Sequence, residues 1–422
     1  MKLALARPFG QNYAWVVAAV TFLSLLAAAG LRSAPGVLLT PLNQAFGWDR
    51  GSFSAAAAIG IFLYGLVGPF AAALMQTLGL KRTLLSGLAL MAAATGSSLF
   101  MQAPWQYVLT WGVLSGLGSG AVALSMGATV VNRWFATRRG LAMGLLSAST
   151  ATGSLIFLPA MAALAEHGGW RPVVAAVSLA ATALIPLVFF LLPERPSDIG
   201  QPPYGATAVE PAPAAGRPLD AVALAFAVLG RAARTSRFWL LFATFFVCGL
   251  TTNGLVGTHL ISFCGDRGLA LVQAGSLLAA MGAFDIIGTT GSGWLTDRYD
   301  PRKLLFVYYG LRGLSLMALP FLTFDVFNLS IFAVFYGLDW LATVPPTVRL
   351  ANEGFGERDG PIVFGWVAFG HQIGAATAAF GAGVLRELDG SYLEPFVIAG
   401  AFGVFAGIGA LAIRRPRPAV AA

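Results

Sequence analysis

The feature that most constrains this chain is a succession of long apolar stretches, each close to the length that crosses a membrane. A transmembrane helix needs about 20 mostly apolar residues, and twelve such stretches follow one another, separated by short polar or charged segments. Only 10% of the residues are charged, whereas a soluble domain has about 25%. The sequence therefore predicts an all-α membrane protein with twelve transmembrane helices.

The predicted spans, numbered one to twelve in chain order, form two groups of six. Their approximate bounds are 13–38, 52–76, 83–101, 106–131, 140–164, 172–192, 237–262, 271–296, 304–324, 328–351, 361–385 and 393–413. Seven prolines lie between Pro193 and Pro218, and such a composition breaks helices and buries no core. We expect an N-terminal six-helix bundle over 1–192, a cytoplasmic linker over 193–236 and a C-terminal six-helix bundle over 237–422.

The basic residues predict the orientation of the chain. If the N-terminus is inside, 19 of the 26 Lys and Arg residues lie in cytoplasmic segments and four in outer loops, as the positive-inside rule requires. Both termini are then cytoplasmic, in an inner (plasma) membrane protein. Lys2 and Arg7 resemble the start of a signal peptide, but no cleavage site and soluble domain follow, so span one is retained. The net charge of +8 indicates topology rather than nucleic acid.

The end of the linker and the two halves of the chain carry further patterns. Leu219–Arg237 combines a short apolar run with three arginines, which favours a helix on the inner surface, with a plain linker as the alternative. Gly144 and Gly153 in span five recur 221 residues later as Gly365 and Gly374 in span eleven. An internal duplication predicts two facing bundles with a ligand site near the membrane midplane, as alternating access requires.

One loop carries a specific motif. The segment from Gly293 to Lys303, which joins spans eight and nine, resembles the loop signature of the major facilitator superfamily. The resemblance implies the twelve-helix fold of that superfamily (MFS fold). It also implies a gating role for five residues, which are Gly293, Asp297, Arg298, Arg302 and Lys303. The first-half copy has Gln76 and Thr77 where the signature has Asp and Arg, so the latch is expected mainly in the second half.

A second motif resembles one branch of that superfamily. Trp134-Phe135, Arg138-Arg139, Ala142, Gly144 and Gly153 look like the signature of spans four and five in monocarboxylate and oxalate/formate porters. In those porters span eight carries an Asp and, one turn later, an Arg that faces the substrate carboxylate. Here the two positions hold Asp285 and Thr289. A hydroxyl cannot provide the bidentate, charge-assisted pairing of Arg with a carboxylate, so this chain departs from the branch at its key residue.

Ionisable side chains within the spans are the main candidates for chemistry, because each costs about 2.5 to 3.5 kcal/mol to insert and needs a partner or a function. The second half holds Asp285, Arg312, Asp339 and His371, with Gln372 beside the histidine. The first half has only Arg32, towards the predicted outer face, which would attract an anion. Together with Arg312 and Arg349, it sets three positive charges against two carboxylates, and this balance favours an anionic substrate.

Several positions allow two interpretations. Asp285 and Thr289 share a face of span eight with Gly288 and Ser292, which suits a wet cavity. Asp285 or Asp339 could exchange a proton, or either could form an ion pair with Arg312.

Asp339 also precedes Pro345-Pro346, which would free backbone carbonyls for a cavity or a neighbouring helix to satisfy. His371 is a possible proton site or a histidine satisfied by packing. In span seven, Asn253 and His259 are ligand candidates, because this span lines the pathway in the superfamily.

The leading hypothesis is a secondary carrier for a small organic anion, with proton coupling as an open question. The alternative is an exporter of amphipathic compounds, and a non-transporting membrane sensor would need a cytoplasmic extension. A membrane enzyme is disfavoured, because the sequence has no metal-ligand spacing and no phosphate-binding loop. Cys248 and Cys264 predict inert thiols rather than a disulfide or metal site, and no cofactor is expected.

Overall fold

A computed structural model describes residues 10–48, 50–209 and 220–414, and each predicted span in it is mainly helical, with interruptions in spans four and ten. Lys2 and Arg7, with both ends of the chain, lie outside the described residues. The observed helices of spans one to nine are Tyr13–Phe46, Arg50–Thr77, Leu80–Phe100, Pro104–Trp134, Arg139–Gly168, Trp170–Leu191, Ser236–Asp266, Leu271–Thr296 and Pro301–Phe321. Span ten consists of Val326–Asp339 and the start of Val344–Asp389. Span eleven is the remainder of Val344–Asp389, and span twelve is Leu393–Leu411.

By length and apolar character alone, nine helical segments within the described residues can cross a membrane. One of them, Val326–Asp389, has 64 residues and contains spans ten and eleven. Contacts divide the chain into two compact units, Met1–Phe226 and Ala227–Ala422. The division falls within the predicted linker, whose own bounds stay a prediction.

The described part of the linker contains ordered structure at both ends. Tyr204 donates its backbone N–H to the carbonyl of Trp134 at 2.8 Å, and its ring packs against Trp15 and Phe135. The linker therefore begins against the N-terminal unit. Residues 210–219 lie outside the description, and a helix from Asp220–Ala232 follows, as expected for the end of the linker.

Glycines bring the backbones of spans one and five, and of spans seven and eleven, into direct contact. A Cβ atom added at Gly153 would lie 3.2 Å from the carbonyl oxygen of Leu26 in span one. At Gly374 an added Cβ would lie 2.8 Å from the carbonyl carbon of Phe246 in span seven. These glycines are 221 residues apart, so the repeat places an equivalent close crossing in each half.

The glycine stripe of span four likewise allows the close approach of a second helix, span two. Gly112, Gly116 and Gly120 recur every four residues, and a Cβ added at each would lie 3.0 or 3.1 Å from a backbone atom of span two. The stripe is therefore a helix-packing surface, as the spacing predicted.

Span ten is interrupted near its middle. The helix Val326–Asp339 ends in turns over residues 340–343, and the chain becomes helical again with Val344–Asp389. The second helix contains a kink at Gly356, whose φ of 81° is accessible to glycine. The interruption at 340–343, called the span-ten break below, is where the polar side chains of the C-terminal unit converge.

The crossing of spans seven and eleven gives the first testable prediction. Gly374→Ala should lower the free energy of unfolding by about 1 to 3 kcal/mol, because the new methyl group would meet span-seven backbone. Gly381→Ala in the same span is the matched control, since nothing lies within 4 Å of its added Cβ. Thermal unfolding of the purified protein measures both, and equal effects would contradict the proposed crossing.

Candidate functional site

Arg312 of span nine and Asp339 of span ten form an ion pair shielded from solvent. Nε of Arg312 lies 2.6 Å from Oδ2 of Asp339, and the two side chains are 0% and 9% exposed. Burying either charge alone would cost several kcal/mol, so each depends on the other. Of the two intramembrane carboxylates, Asp339 and not Asp285 is therefore the partner of Arg312.

The span-ten break leaves backbone groups that neighbouring helices satisfy. Pro345 and Pro346 have no N–H, so the carbonyls of Leu341 and Ala342 lose their normal helical donors. The hydroxyl of Ser292 in span eight donates to the Ala342 carbonyl at 2.5 Å. The Leu341 carbonyl accepts the N–H three residues later at 3.0 Å. Of the two alternatives for the freed carbonyls, a cavity or a neighbouring helix, the structure shows the helix.

Arg312 binds the same stretch of backbone. Its Nη2 group donates to the carbonyl of Asp339 and, at 3.1 Å, to that of Trp340. These carbonyls lie at the end of a helix, where the macrodipole favours a cation. One guanidinium thus neutralises a carboxylate and satisfies two carbonyls, which explains why a charge at this depth is tolerated.

Asp285 is buried without a direct ion pair. Its Oδ1 accepts a hydrogen bond from the Thr289 hydroxyl at 2.5 Å and another from the backbone N–H of Leu341, in the span-ten break, at 2.9 Å. Its Oδ2 is buried and has no hydrogen-bond partner among the described residues. Asp285 thus differs from Asp339, because its carboxylate contacts neutral donors whereas that of Asp339 contacts a cation.

The polar stripe of span eight faces a helix rather than open space. Asp285, Thr289 and Ser292 are all buried, and a Cβ added at Gly288 would lie 2.5 Å from Cα of Leu338 in span ten. The prediction of a wet cavity along this stripe is wrong for the described residues. Gly288 lets span ten approach so closely that the polar side chains bond to its backbone instead.

Cys248 of span seven belongs to this cluster, although the sequence suggested only an inert thiol. Its Sγ accepts a hydrogen bond from Nη1 of Arg312 at 3.2 Å and lies 3.3 Å from Oγ1 of Thr343, at the end of the span-ten break. The ring of His371 lies beside it. The signal that could have found Cys248 was its place one turn before Thr252, on the polar stripe of span seven.

Asn253 and His371 form a second polar group. Nδ2 of Asn253 donates to Nε2 of His371 at 3.2 Å. Asn253 is exposed and lies in the π-helical segment Leu250–Val256, a geometry common at functional sites. Gln372 is half-buried beside His371 and makes no side-chain hydrogen bond within the described residues. An exposed amide is costly against lipid, so this surface suits water or a polar ligand.

His259 and Arg32 have contrasting surroundings. Both ring nitrogens of His259 have protein partners, the Tyr392 hydroxyl at 3.2 Å and the Ala379 carbonyl at 2.8 Å. Arg32 in the N-terminal unit is half-buried, with its guanidinium 4.2 Å from the ring centre of Tyr64. It makes no ion pair with any described residue. His259 is thus engaged in packing, whereas Arg32 retains capacity to bind an anion.

Comparison with known proteins decides the family, because the sequence model of the Major Facilitator Superfamily matches residues 20–379. The chain belongs to the major facilitator superfamily. Its relatives include the uncharacterized MFS-type transporter YcxA of Bacillus subtilis, 24% identical over 94% of this chain and 93% of that protein. Monocarboxylate transporter 13 of Rattus norvegicus is 26% identical, with 96% and 89% covered. The gallate transporter of Pseudomonas putida is 28% identical, with 74% and 72% covered.

Solved structures of the superfamily share the fold. The fucose:proton symporter FucP of E. coli matches with a TM-score of 0.69 and 15% identity, covering 95% of this chain and 99% of FucP. The proton:xylose symporter XylE matches with a TM-score of 0.71 and 12% identity, covering 96% and 97%. The predicted all-α, twelve-helix superfamily fold is confirmed. The family and the relatives are membrane transporters, not enzymes, and the chain is a multi-pass membrane protein with a small-molecule substrate.

The superfamily loop between spans eight and nine is held by local contacts. The carboxylate of Asp300 accepts a hydrogen bond from the backbone N–H of Arg302 at 3.0 Å, which caps the start of span nine. The same carboxylate pairs with the guanidinium of Arg302 at 2.8 Å. The guanidinium of Arg298 lies 3.9 Å from the ring centre of Trp294. These contacts order the loop, while its gating role stays a prediction.

The rest of the loop closes the end of span eight. The N–H of Asp297 bonds to the Gly293 carbonyl at 3.3 Å, and Lys303 is exposed. Arg349 of span ten donates to the carbonyl of Thr296 and pairs with Glu353 at 2.8 Å. Arg349 therefore ties span ten to span eight rather than facing a ligand.

The first half contains a matching anchor. Arg133 at the end of span four donates to the carbonyl of Met75 at 2.5 Å and lies 3.8 Å from Glu194. Met75 precedes Thr296 by 221 residues, so each half uses an arginine to hold the same repeat-related carbonyl. The sequence motif of this loop is degenerate in the first half, yet the backbone contact is present.

The buried ion pair gives the second prediction. Asp339→Asn should lower the free energy of unfolding by about 3 to 5 kcal/mol, because Arg312 would remain buried without a counter-charge. The double variant Arg312→Met/Asp339→Asn should lose less than the sum of the two single variants, since neither charge is then left alone. Unfolding measurements on all four proteins form the cycle, and strictly additive losses would show that the pair is not coupled.

Proposed function

We propose that this transporter is a secondary carrier that moves a small organic anion, of the monocarboxylate kind, across the inner membrane by alternating access. The observation that carries the proposal is Arg32, a half-buried guanidinium without an ion-pair partner among the described residues. Such a cation in a span attracts an anion, and its planar fork matches a carboxylate. The Tyr64 ring lies beneath the guanidinium, with 4.2 Å between its centre and the guanidinium carbon.

The relatives support an anionic substrate. Two of the proteins described above are named for the transport of monocarboxylates and of gallate, which is itself a carboxylate. Arg312 is not available to bind the substrate anion, because its N–H groups are engaged by Asp339, backbone carbonyls and Cys248. Thr289 is likewise committed to Asp285. In the porter branch an arginine of span eight supplies the positive charge. In this proposal Arg32 supplies it instead, because this chain has Thr289 at that position.

We propose Asp285 as the proton-coupling residue. Asp339 is neutralised by Arg312, whereas Asp285 is buried, binds two neutral donors and keeps one oxygen without a partner in the part of the chain that the structure describes. An isolated carboxylate is costly to bury in its charged form. Proton uptake at Asp285 during the cycle would make anion transport electroneutral for a monovalent substrate.

Within the C-terminal unit, neutral polar groups are proposed as further candidates for substrate contact. Asn253 and Gln372 can donate and accept hydrogen bonds, and His371 holds Asn253 in place at 3.2 Å. His259 takes a packing role in this proposal, since both of its nitrogens are engaged. The distribution of the 26 Lys and Arg residues supports cytoplasmic termini in the inner membrane.

Uptake into proteoliposomes tests the anion proposal. Labelled small carboxylates should accumulate under an imposed pH gradient, and Arg32→Gln should lower kcat/KM about 10- to 100-fold through loss of a charge-assisted pair. The kcat/KM of Arg32→Lys should lie between those of the parent and of Arg32→Gln, because lysine keeps the positive charge but lacks the planar fork of the guanidinium. The matched control is Arg171→Gln, which removes an arginine that also lies over an aromatic ring but is exposed in the first turn of span six.

The outcome separates the two transport hypotheses. If carboxylates move and only the Arg32 variants fail, the organic-anion carrier stands. If no carboxylate moves in sealed vesicles while amphipathic dyes are extruded, the chain is an exporter and Arg32 has a structural role.

Proton coupling gives a separate prediction. Asp285→Asn should abolish accumulation driven by a pH gradient and leave exchange of labelled for unlabelled carboxylate, because exchange needs no net proton movement. Asp325→Asn is the control, since this exposed residue caps the start of span ten and Asn caps helices equally well. Loss of accumulation and exchange together would contradict the assignment of Asp285 as a coupling group.

A further inference from the structure

The carboxylate of Asp285 and the backbone of the span-ten break are joined by one hydrogen bond. In an unbroken helix the N–H of Leu341 would bond to the carbonyl of Gly337. Here it leaves its own helix and donates to Oδ1 of Asp285 at 2.9 Å, while the Gly337 carbonyl accepts the N–H of Trp340 at 3.1 Å. Asp285 therefore completes the backbone of the break.

Thr289 holds the carboxylate of Asp285 by the same oxygen that accepts the N–H of Leu341. Its hydroxyl donates to the same Oδ1 at 2.5 Å, and Thr289 is fully buried. From the described residues, Oδ1 thus accepts two hydrogen bonds and Oδ2 accepts none. A proton that binds Asp285 would occupy Oδ2, because both positions around Oδ1 are filled by donors.

The charged and titratable neighbours of Asp285 do not prevent its carboxylate from binding a proton. Arg312 of span nine, Cys248 of span seven and Asp339 of span ten act on it electrostatically. The N–H groups of Arg312 are directed to Asp339, to carbonyls of the break and to Cys248. Asp285 can therefore gain a proton without loss of an ion pair.

The geometry points to Thr289 as a positioning residue that makes the span-ten break sensitive to protonation of Asp285. Hydrogen bonds to a carboxylate are stronger than those to a neutral acid. A proton on Oδ2 would weaken the bond from Leu341 and loosen the break. The other side-chain bond from span eight, from Ser292 to the carbonyl of Ala342, involves no titratable group and would not change.

This inference rests on the proposed function only in the choice of Asp285 as the proton site. It concerns the conformation of the C-terminal unit and can be measured without any substrate. Failure of the transport assays would therefore leave it standing, and its own failure would leave the carboxylate proposal standing.

Cys248 provides the readout. Its Sγ lies 3.3 Å from Oγ1 of Thr343, the last residue of the break, and the chain has one other cysteine, Cys264. In a Cys264→Ala background, the rate at which a small maleimide alkylates Cys248 in the purified full-length protein reports opening of the break. Each rate is divided by the rate for the urea-unfolded protein at the same pH, which removes the effect of thiolate fraction.

The variants form a matched series. At neutral pH, Thr289→Val should raise the normalised rate about five- to tenfold, since one of two bonds that orient the carboxylate is lost without a change in shape. Asp285→Asn, a neutral mimic of the protonated acid, should raise it similarly. Thr289→Ser restores the hydroxyl and should match the parent.

The control is Thr296→Val, another buried threonine of span eight, whose hydroxyl donates to the Ser292 carbonyl within its own helix. In the parent and in Thr289→Ser, the normalised rate should rise as the pH falls. In Thr289→Val and Asp285→Asn it should be high at every pH.

Either of two results would overturn the inference. One is a parent rate that does not change with pH. The other is a Thr289→Val rate that keeps the pH dependence of the parent. Unfolding temperatures identify a variant that is labelled merely because it is unfolded, and in that case the pH dependence of the parent rate and its loss in Asp285→Asn still decide.

Discussion

The polar interior of the C-terminal unit depends on the interruption of span ten. Two consecutive prolines remove hydrogen-bond donors from a helix at membrane depth, where lipid supplies none. Ser292 of span eight replaces the donor lost at the Ala342 carbonyl. The interruption also exposes an N–H at Leu341, which Asp285 of span eight accepts, and a carbonyl at Trp340, to which Arg312 of span nine donates. Once Arg312 is placed there, Asp339 is required to neutralise it. Much of the charge concentrated in the second half thus has a structural cause, and any role in transport is added to it.

The first half shows what the same fold looks like without these charges. Span four is also interrupted, between the helices Ser115–Ala121 and Leu124–Trp134. Val122 in this gap is related by the 221-residue repeat to Thr343 at the end of the span-ten break. No proline pair follows it, and the hydrogen bond to a neighbouring helix comes from a neutral hydroxyl of span four itself, since Ser125 donates to the carbonyl of Gly68 in span two at 3.1 Å. An interrupted helix is therefore common to both halves, whereas the buried charges belong to the second half.

The candidate site was only partly predictable from sequence. Periodicity correctly placed Asp285, Thr289 and Ser292 on one face of span eight, because the helical repeat depends only on spacing. It did not show that this face meets span ten, which depends on how Gly288 allows two backbones to approach. For the same reason Cys248 was interpreted as inert. Its contacts with Arg312 and Thr343 join residues 64 and 95 positions apart.

The sequence by itself determined the number of spans, the internal repeat, the glycine crossings and the loop signature, because hydropathy, composition and short-range spacing are properties of neighbouring residues. Only the tertiary structure decided that Arg312 pairs with Asp339, that Asp285 binds the backbone of the span-ten break, and that Arg32 has no ion-pair partner among the described residues. These pairings depend on the rotation and crossing of whole helices. The packing of many side chains along each helix sets that rotation, and the local pattern around any single residue does not contain it.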